Sequence, residues 1–167
     1  MPEKKTIRRA KQAKREGKSP SSQAGAFVHE EIEHIREGKH GAKSAKQAIA
    51  IGLSKARRAG VKLRPPKKGT VSEKSRKSAK RAYEKGQKHE PISPTRSRAG
   101  VRALKGERRS SVSTRALSRQ ATAAAKKRTA SQRSAAAKRA IKTKGPRKRS
   151  EAAKKAARTR ARTTQHR

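Results

Sequence analysis

Residues 27–60 read FVHEEIEHIREGKHGAKSAKQAIAIGLSKARRAG, and this stretch decides where the chain can fold. Phe27, Val28, Ile32 and Ile35 recur at the spacing of one helix face, and Gly38 and Gly41 follow as stop signals, so the spacing predicts an amphipathic helix over 25–37. Glu30 and Glu31 then fall in its first turns, where the positive end of the helix dipole favours acids. Beyond the turn, Ser44 and Gln47 make an S-x-x-Q capping box. Ala45, Ala48, Ile49, Gly52, Leu53 and Ala56 line one face from there until Gly60 ends the pattern. The reading is a helical hairpin over 21–63.

Outward from this hairpin the apolar material runs out. The whole chain has 167 residues with only 17 Ile, Val, Leu and Phe, and nine of these lie between Phe27 and Leu63. Burial of nine side chains competes with the ordering entropy of the whole segment, so a marginal monomer is expected, one that gains from weak self-association or from a partner bound through 21–63. The fold class expected is mainly α: a segment of two to three helices with largely disordered basic N- and C-terminal arms.

Charge sets the rest. Lys and Arg number 51 against 11 acids, a formal charge of +40 with a pI near 12.0. A field of that sign and size concentrates polyanions and opposes compaction. Residues 1–20 read as a basic arm. Residues 64–100 read as a linker opened by Arg64-Pro65-Pro66, with a possible short helix at 72–86, and 101–167 as a basic Ala/Lys/Arg-rich tail, disordered or conditionally helical. Residues 100–167 alone carry 23 bases and 2 acids.

The tail is repetitive. Ser134-Ala-Ala-Ala-Lys-Arg-Ala-Ile-Lys-Thr-Lys aligns without gaps on Ser150-Glu-Ala-Ala-Lys-Lys-Ala-Ala-Arg-Thr-Arg, and a related unit begins at Thr122. Ser134 and Ser150 read as N-caps, Ala favours helix, and like charges at i and i+4 repel until phosphates neutralise them. Pro146 is expected to separate the two last helical pieces. The residues expected to contact phosphate are Lys126, Lys127, Arg128, Lys138, Arg139, Lys142, Lys144, Arg147, Lys148, Arg149, Lys154, Lys155, Arg158 and Arg160.

These features predict a sequence-tolerant nucleic-acid-binding protein. Duplex DNA is the expected form, because one Phe and one Tyr offer almost no stacking surface for single strands. RNA or ribosome association is the alternative, and a protein-interaction hairpin with localising arms is a third. Ser93-Pro94-Thr95-Arg96 resembles the Ser-Pro-x-basic turn of linker-histone tails, although a Pro-containing linker is the plainer reading.

Several chemistries find no support. His29-Glu30-Glu31-Ile32-Glu33-His34 misses the H-E-x-x-H spacing by one residue. His29, Glu33 and His40 therefore read as a solvated polar face, with no metal site and no cofactor expected. The acidic face of Glu30, Glu31, Glu33 and Glu37 is assigned to solvent, to the basic tail or to a protein partner. No nucleophile, base and oxyanion arrangement can be assembled, so an enzyme is not expected. No Cys is present, no apolar run resembles a signal or a membrane span, and a cytoplasmic, nucleoid-associated location is expected.

The stretch from Val28 to Gly60, above all Gly38-Lys39-His40-Gly41 and Lys46-Gln47-Ala48-Ile49-Ala50-Ile51-Gly52-Leu53-Ser54-Lys55-Ala56-Arg57-Arg58-Ala59-Gly60, resembles a small bacterial domain of unknown function found in short basic proteins. Typical members carry Ala and Glu where this chain has Gly52 and Lys55, a change expected on the helix surface rather than on its apolar face. The resemblance implies a bacterial source and no particular activity. The tail is similar in composition to histone-H1-like bacterial proteins.

Overall fold

A computed structural model describes residues 2–91 and 93–165; the side chains of 142–144, 148 and 163–165 lie outside the description. The elements described are α1 (Lys4–Arg15), α2 (Pro20–Arg36), α3 (Ala45–Arg58), α4 (Glu73–Gln87), α5 (Pro94–Lys105), a 3-10 turn (Arg109–Val112), α6 (Thr114–Lys126) and α7 (Ala130–Gln165). The chain is mainly helical, and no strand occurs among the described residues. It divides into two compact units, 1–122 and 123–167.

The first unit is built on the α2–α3 hairpin. Ser44 accepts a hydrogen bond from the Gln47 amide at 3.2 Å, and the Gln47 side chain accepts one from the Lys43 amide at 2.6 Å. The capping box thus forms, with its return bond reaching one residue further back than the ideal pattern. α2 starts earlier than the apolar spacing suggests. Pro20 occupies the first turn and the Ser19 hydroxyl accepts from the Ser22 amide at 3.4 Å. A proline in the first turn forfeits no intrahelical bond, and its fixed φ suits entry. Glu30 and Glu31 consequently sit in mid-helix, away from the dipole's positive end, and both are buried.

Two apolar clusters hold the unit. Ala10, Ala24, Phe27, Ala56 and Val61 form one, flanked by Ile7, Leu53 and Leu63. Ile35, Ala42, Ala48 and Val112 form the other, with Ile32 against it. Ala10 comes from α1 and Val112 from the 3-10 turn, so the arms expected to be disordered supply core residues. α1 packs along α2, and the Gly41 and Ala42 amides donate to the Leu104 and Arg108 carbonyls at 2.9 and 3.2 Å. The count of two to three helices and the disorder of both arms are therefore corrected. Few large side chains are needed because Ala, Gly and short turns let backbones approach closely.

Gly52 shows that closeness. A Cβ there would lie 2.7 Å from the Val28 Cα and 3.0 Å from the Phe27 carbonyl oxygen. Gly86 of α4 plays the same part against the Arg57 carbonyl. Gly52 is thus interior, not a surface variation. Lys55 is likewise an inward-acting residue, since its ammonium reaches the fully buried Glu31 carboxylate at 2.5 Å.

α4 matches the helix expected at 72–86, with the Ser72 hydroxyl accepting from the Ser75 amide at 3.3 Å. Ser93-Pro94 is neither linker nor free turn. The Ser93 hydroxyl accepts from the Arg96 amide at 3.4 Å and Pro94 opens α5.

Candidate nucleic-acid interface

In the second unit Thr129 caps α7, accepting from the Gln132 amide while its own amide donates to the Gln132 side chain, both at 3.2 Å. This reciprocal cap outcompetes Ser134, which lies a turn inside the helix. Ser150 is also interior. The break falls at Gly145, which adopts φ 67 and ψ 169, and Pro146 follows it as the start of the second helical stretch. Glycine takes that left-handed conformation without a Cβ clash, and proline cannot supply the amide that an unbroken helix would need.

The residues expected to contact phosphate fall as follows. Lys126 ends α6, Lys127 and Arg128 form the connection, and the remaining eleven lie within the span of α7. Lys126, Lys127, Arg128, Lys138, Arg139, Arg147, Arg149, Lys154, Lys155, Arg158 and Arg160 are exposed. The side chains of Lys142, Lys144 and Lys148 lie outside the described residues. At about 100° per residue, Arg147, Lys154, Arg158 and Arg162 fall within roughly 80° of one another, forming a stripe along the second stretch. Arg149 and Arg160 come on the opposite side. Within 123–167 the single acid is Glu151, placed four residues before Lys155. The described bases of α7 are exposed and lie on several sides of each stretch.

The first unit holds a second cationic feature that residue spacing does not reveal. A groove of about 770 Å³ is lined by apolar Ile7, Ile51 and Ala82 and by Arg58, Arg81, Lys85 and Arg96. Its bases come from α3, α4 and α5 and meet only once those helices pack. The Arg58 guanidinium donates to the Pro91 carbonyl at 3.2 Å, which fixes one wall. Arg57 faces inward instead. Its Nε donates to the Leu63 carbonyl at 3.1 Å, and burial pushes its pKa down.

The acidic face is split rather than shared. Glu33 and Glu37 stay near solvent, paired with Arg36 at 3.1 Å and Lys39 at 2.8 Å. Glu30 and Glu31 turn inward, and Glu30 accepts from the Glu3 amide at 3.2 Å. Glu3 Oε1 lies 2.9 Å from His34 Nε2, and that hydrogen bond holds the Glu3 carboxyl below its ordinary range. Glu31, His34 and His40 bring one ligand atom each within 4.8 Å of one another. Of the residues weighed as metal ligands, only His40 belongs to this group; His29 is exposed.

Residues 4–68 match the model of a family of unknown function, DUF6496. The chain is similar to that family over α1, α2, α3 and the connection that follows, so the resemblance to a domain of unknown function holds over a longer stretch than 28–60. The tail lies outside the match. No curated protein and no solved structure matches the chain. Among the described residues no helix is long and apolar enough to cross a membrane.

Proposed function

We propose that this chain is a sequence-tolerant, nucleoid-associated DNA-binding protein that acts through phosphate-backbone contacts, in the manner of histone-H1-like proteins. One observation supports the reading: the two helical stretches of α7, on either side of Gly145, carry exposed bases on several sides, and every described side chain of α7 other than Gly145 is exposed. Side chains of that kind neutralise phosphates and release condensed counterions, a favourable term that grows with each contact. Bases on opposite sides of one helix suit it to lie between two duplexes as well as along one. The first unit then acts as a compact head, with its basic groove as an additional contact. Flat, stacking aromatic surface is lacking, which favours duplex over single strands.

The reading is tested by mobility shift of nuclease-treated protein on random-sequence duplex DNA, single-stranded DNA and ribosomal RNA at matched salt. Duplex binding of equal strength across unrelated sequences, with weaker binding to the other two, is the expected result. Preference for ribosomal RNA would move the assignment to an RNA-associated basic protein.

A further inference from the structure

We propose that Glu31, His34 and His40 form a binding site for a zinc ion that clamps α2 to the α2–α3 turn. Two of the three residues share a helix. Glu31 and His34 stand at i and i+3 on α2, the spacing that puts a carboxylate and an imidazole on one face. His40 comes from the turn, where Gly41 is anchored by its amide hydrogen bond to the Leu104 carbonyl. Three groups from two segments are thus held in place before any ion arrives.

The hydrogen bonding around His40 turns one ring nitrogen toward Glu31. Its Nδ1 lies 3.1 Å from the Gly41 carbonyl oxygen, which can only accept, so Nδ1 carries the proton. In the neutral ring Nε2 is then an acceptor, and it faces Glu31 Oε1, another acceptor, at 3.4 Å. Two lone-pair atoms confront each other in a site where Glu31 is fully buried and His40 is 8% exposed. A zinc ion there would meet both lone pairs: two ligands of a tetrahedral zinc ion, with bonds of about 2.0–2.1 Å, are about 3.4 Å apart, the spacing between His40 Nε2 and Glu31 Oε1.

The surroundings fit as well. Metal-bound histidines usually hand their other ring proton to a carbonyl or carboxylate, as His40 does to Gly41. Neither Glu31 oxygen has a well-aligned hydrogen bond, although Lys55 Nζ approaches Oε2 and neutralises that side of the carboxylate. Oε1 is left for the ion. Lys55 is only partly buried, so its ammonium can swing toward solvent as the ion enters. All the ligand atoms lie within 4.8 Å of one another, so the widest edge has to close by no more than about 1.4 Å, a side-chain adjustment. Glu3 accepts from His34 Nε2 at 2.9 Å and so orients that ring. Two His with one carboxylate suit zinc, and a core built largely of alanine gains much from such a clamp.

The test uses the full chain, freed of nucleic acid and washed with chelator, then titrated with Zn²⁺ alone and with Co²⁺ alone. Saturation at one equivalent, a rise in Tm and the visible absorption bands of four-coordinate cobalt are the expected results. Glu31→Gln and His34→Gln should each weaken Zn²⁺ binding at least about tenfold, whereas exposed His29→Gln should leave it unchanged. Because His34 is only partly buried, its variant keeps the fold, and its chelator-treated Tm checks this directly. Absence of cobalt bands and of any Tm shift in the parent chain, or equal binding by the folded His34→Gln variant, would overturn the assignment.

Discussion

At the scale of single residues, the interface between α2 and α3 concentrates the consequences. Gly52 faces the backbone of Val28 at a distance that no Cβ tolerates without movement. Gly52→Ala should therefore destabilise the first unit by about 1–3 kcal/mol, the usual cost of overpacking, despite alanine's better helix propensity. Urea unfolding followed by circular dichroism measures this, and a stabilised variant would mean that the helices can slide apart freely. Lys55 poses the converse case. Glu31 is fully buried and Lys55 neutralises it, so Lys55→Met strands a charge and should cost about 3 kcal/mol or more, with Glu31→Gln in the same chain recovering most of that loss. A double-mutant cycle in the absence of metal reads the coupling. If the single and double variants unfold alike, the pair contributes nothing.

At the scale of elements, the hairpin was legible and its company was not. Phe27, Ile35 and Ala48 repeat at helical spacing, and all three are buried. The Ser44 cap was equally readable, because capping depends on a few neighbouring residues, and α4 forms where a short helix over 72–86 is expected. α1 and the 3-10 turn were missed since each buries only one or two small side chains, Ala10 and Thr6 in α1 and Val112 in the turn, below what periodicity can register. Charge alone points the acidic face outward, because composition does not say which side of α2 meets Glu3, His40 and Lys55, the groups that Glu30 and Glu31 turn toward. The phosphate-contacting residues could be named, but the groove bases Arg58, Arg81 and Arg96 are distant in sequence and meet only through packing. The interruption of α7 leads to a prediction of its own. Gly145 and Pro146 are roughly 1 and 3 kcal/mol less favourable than Ala inside a helix. Replacing both by Ala should fuse the two stretches and raise the helical far-UV signal of the DNA-free chain. An unchanged signal would place the break elsewhere.

At the scale of the whole molecule, charge is distributed unevenly between the two units, and the proposed function gives them different work on that ground. Residues 1–122 carry the two apolar clusters and ten of the eleven acids, while 123–167 hold a single acid, Glu151. Removing 123–167 leaves Val112 and its contacts in place, so the remaining unit should keep its unfolding transition. Duplex affinity should nevertheless fall at least about a hundredfold, because the counterions that the tail's phosphate contacts would release are no longer released. The salt dependence supplies the sharper measure. Each phosphate neutralised on B-DNA contributes about −0.9 to the slope of log K against log salt, so ten contacts give roughly −9 for the full chain. A truncated chain that holds DNA by its groove alone, through Arg58, Arg81, Lys85 and Arg96, should show a slope nearer −4, about −0.9 for each of those bases. Fluorescence titrations across a range of salt concentrations separate the two contributions. Identical slopes with and without the tail would mean that α7 does not touch phosphate, and the first unit would then be the binding element.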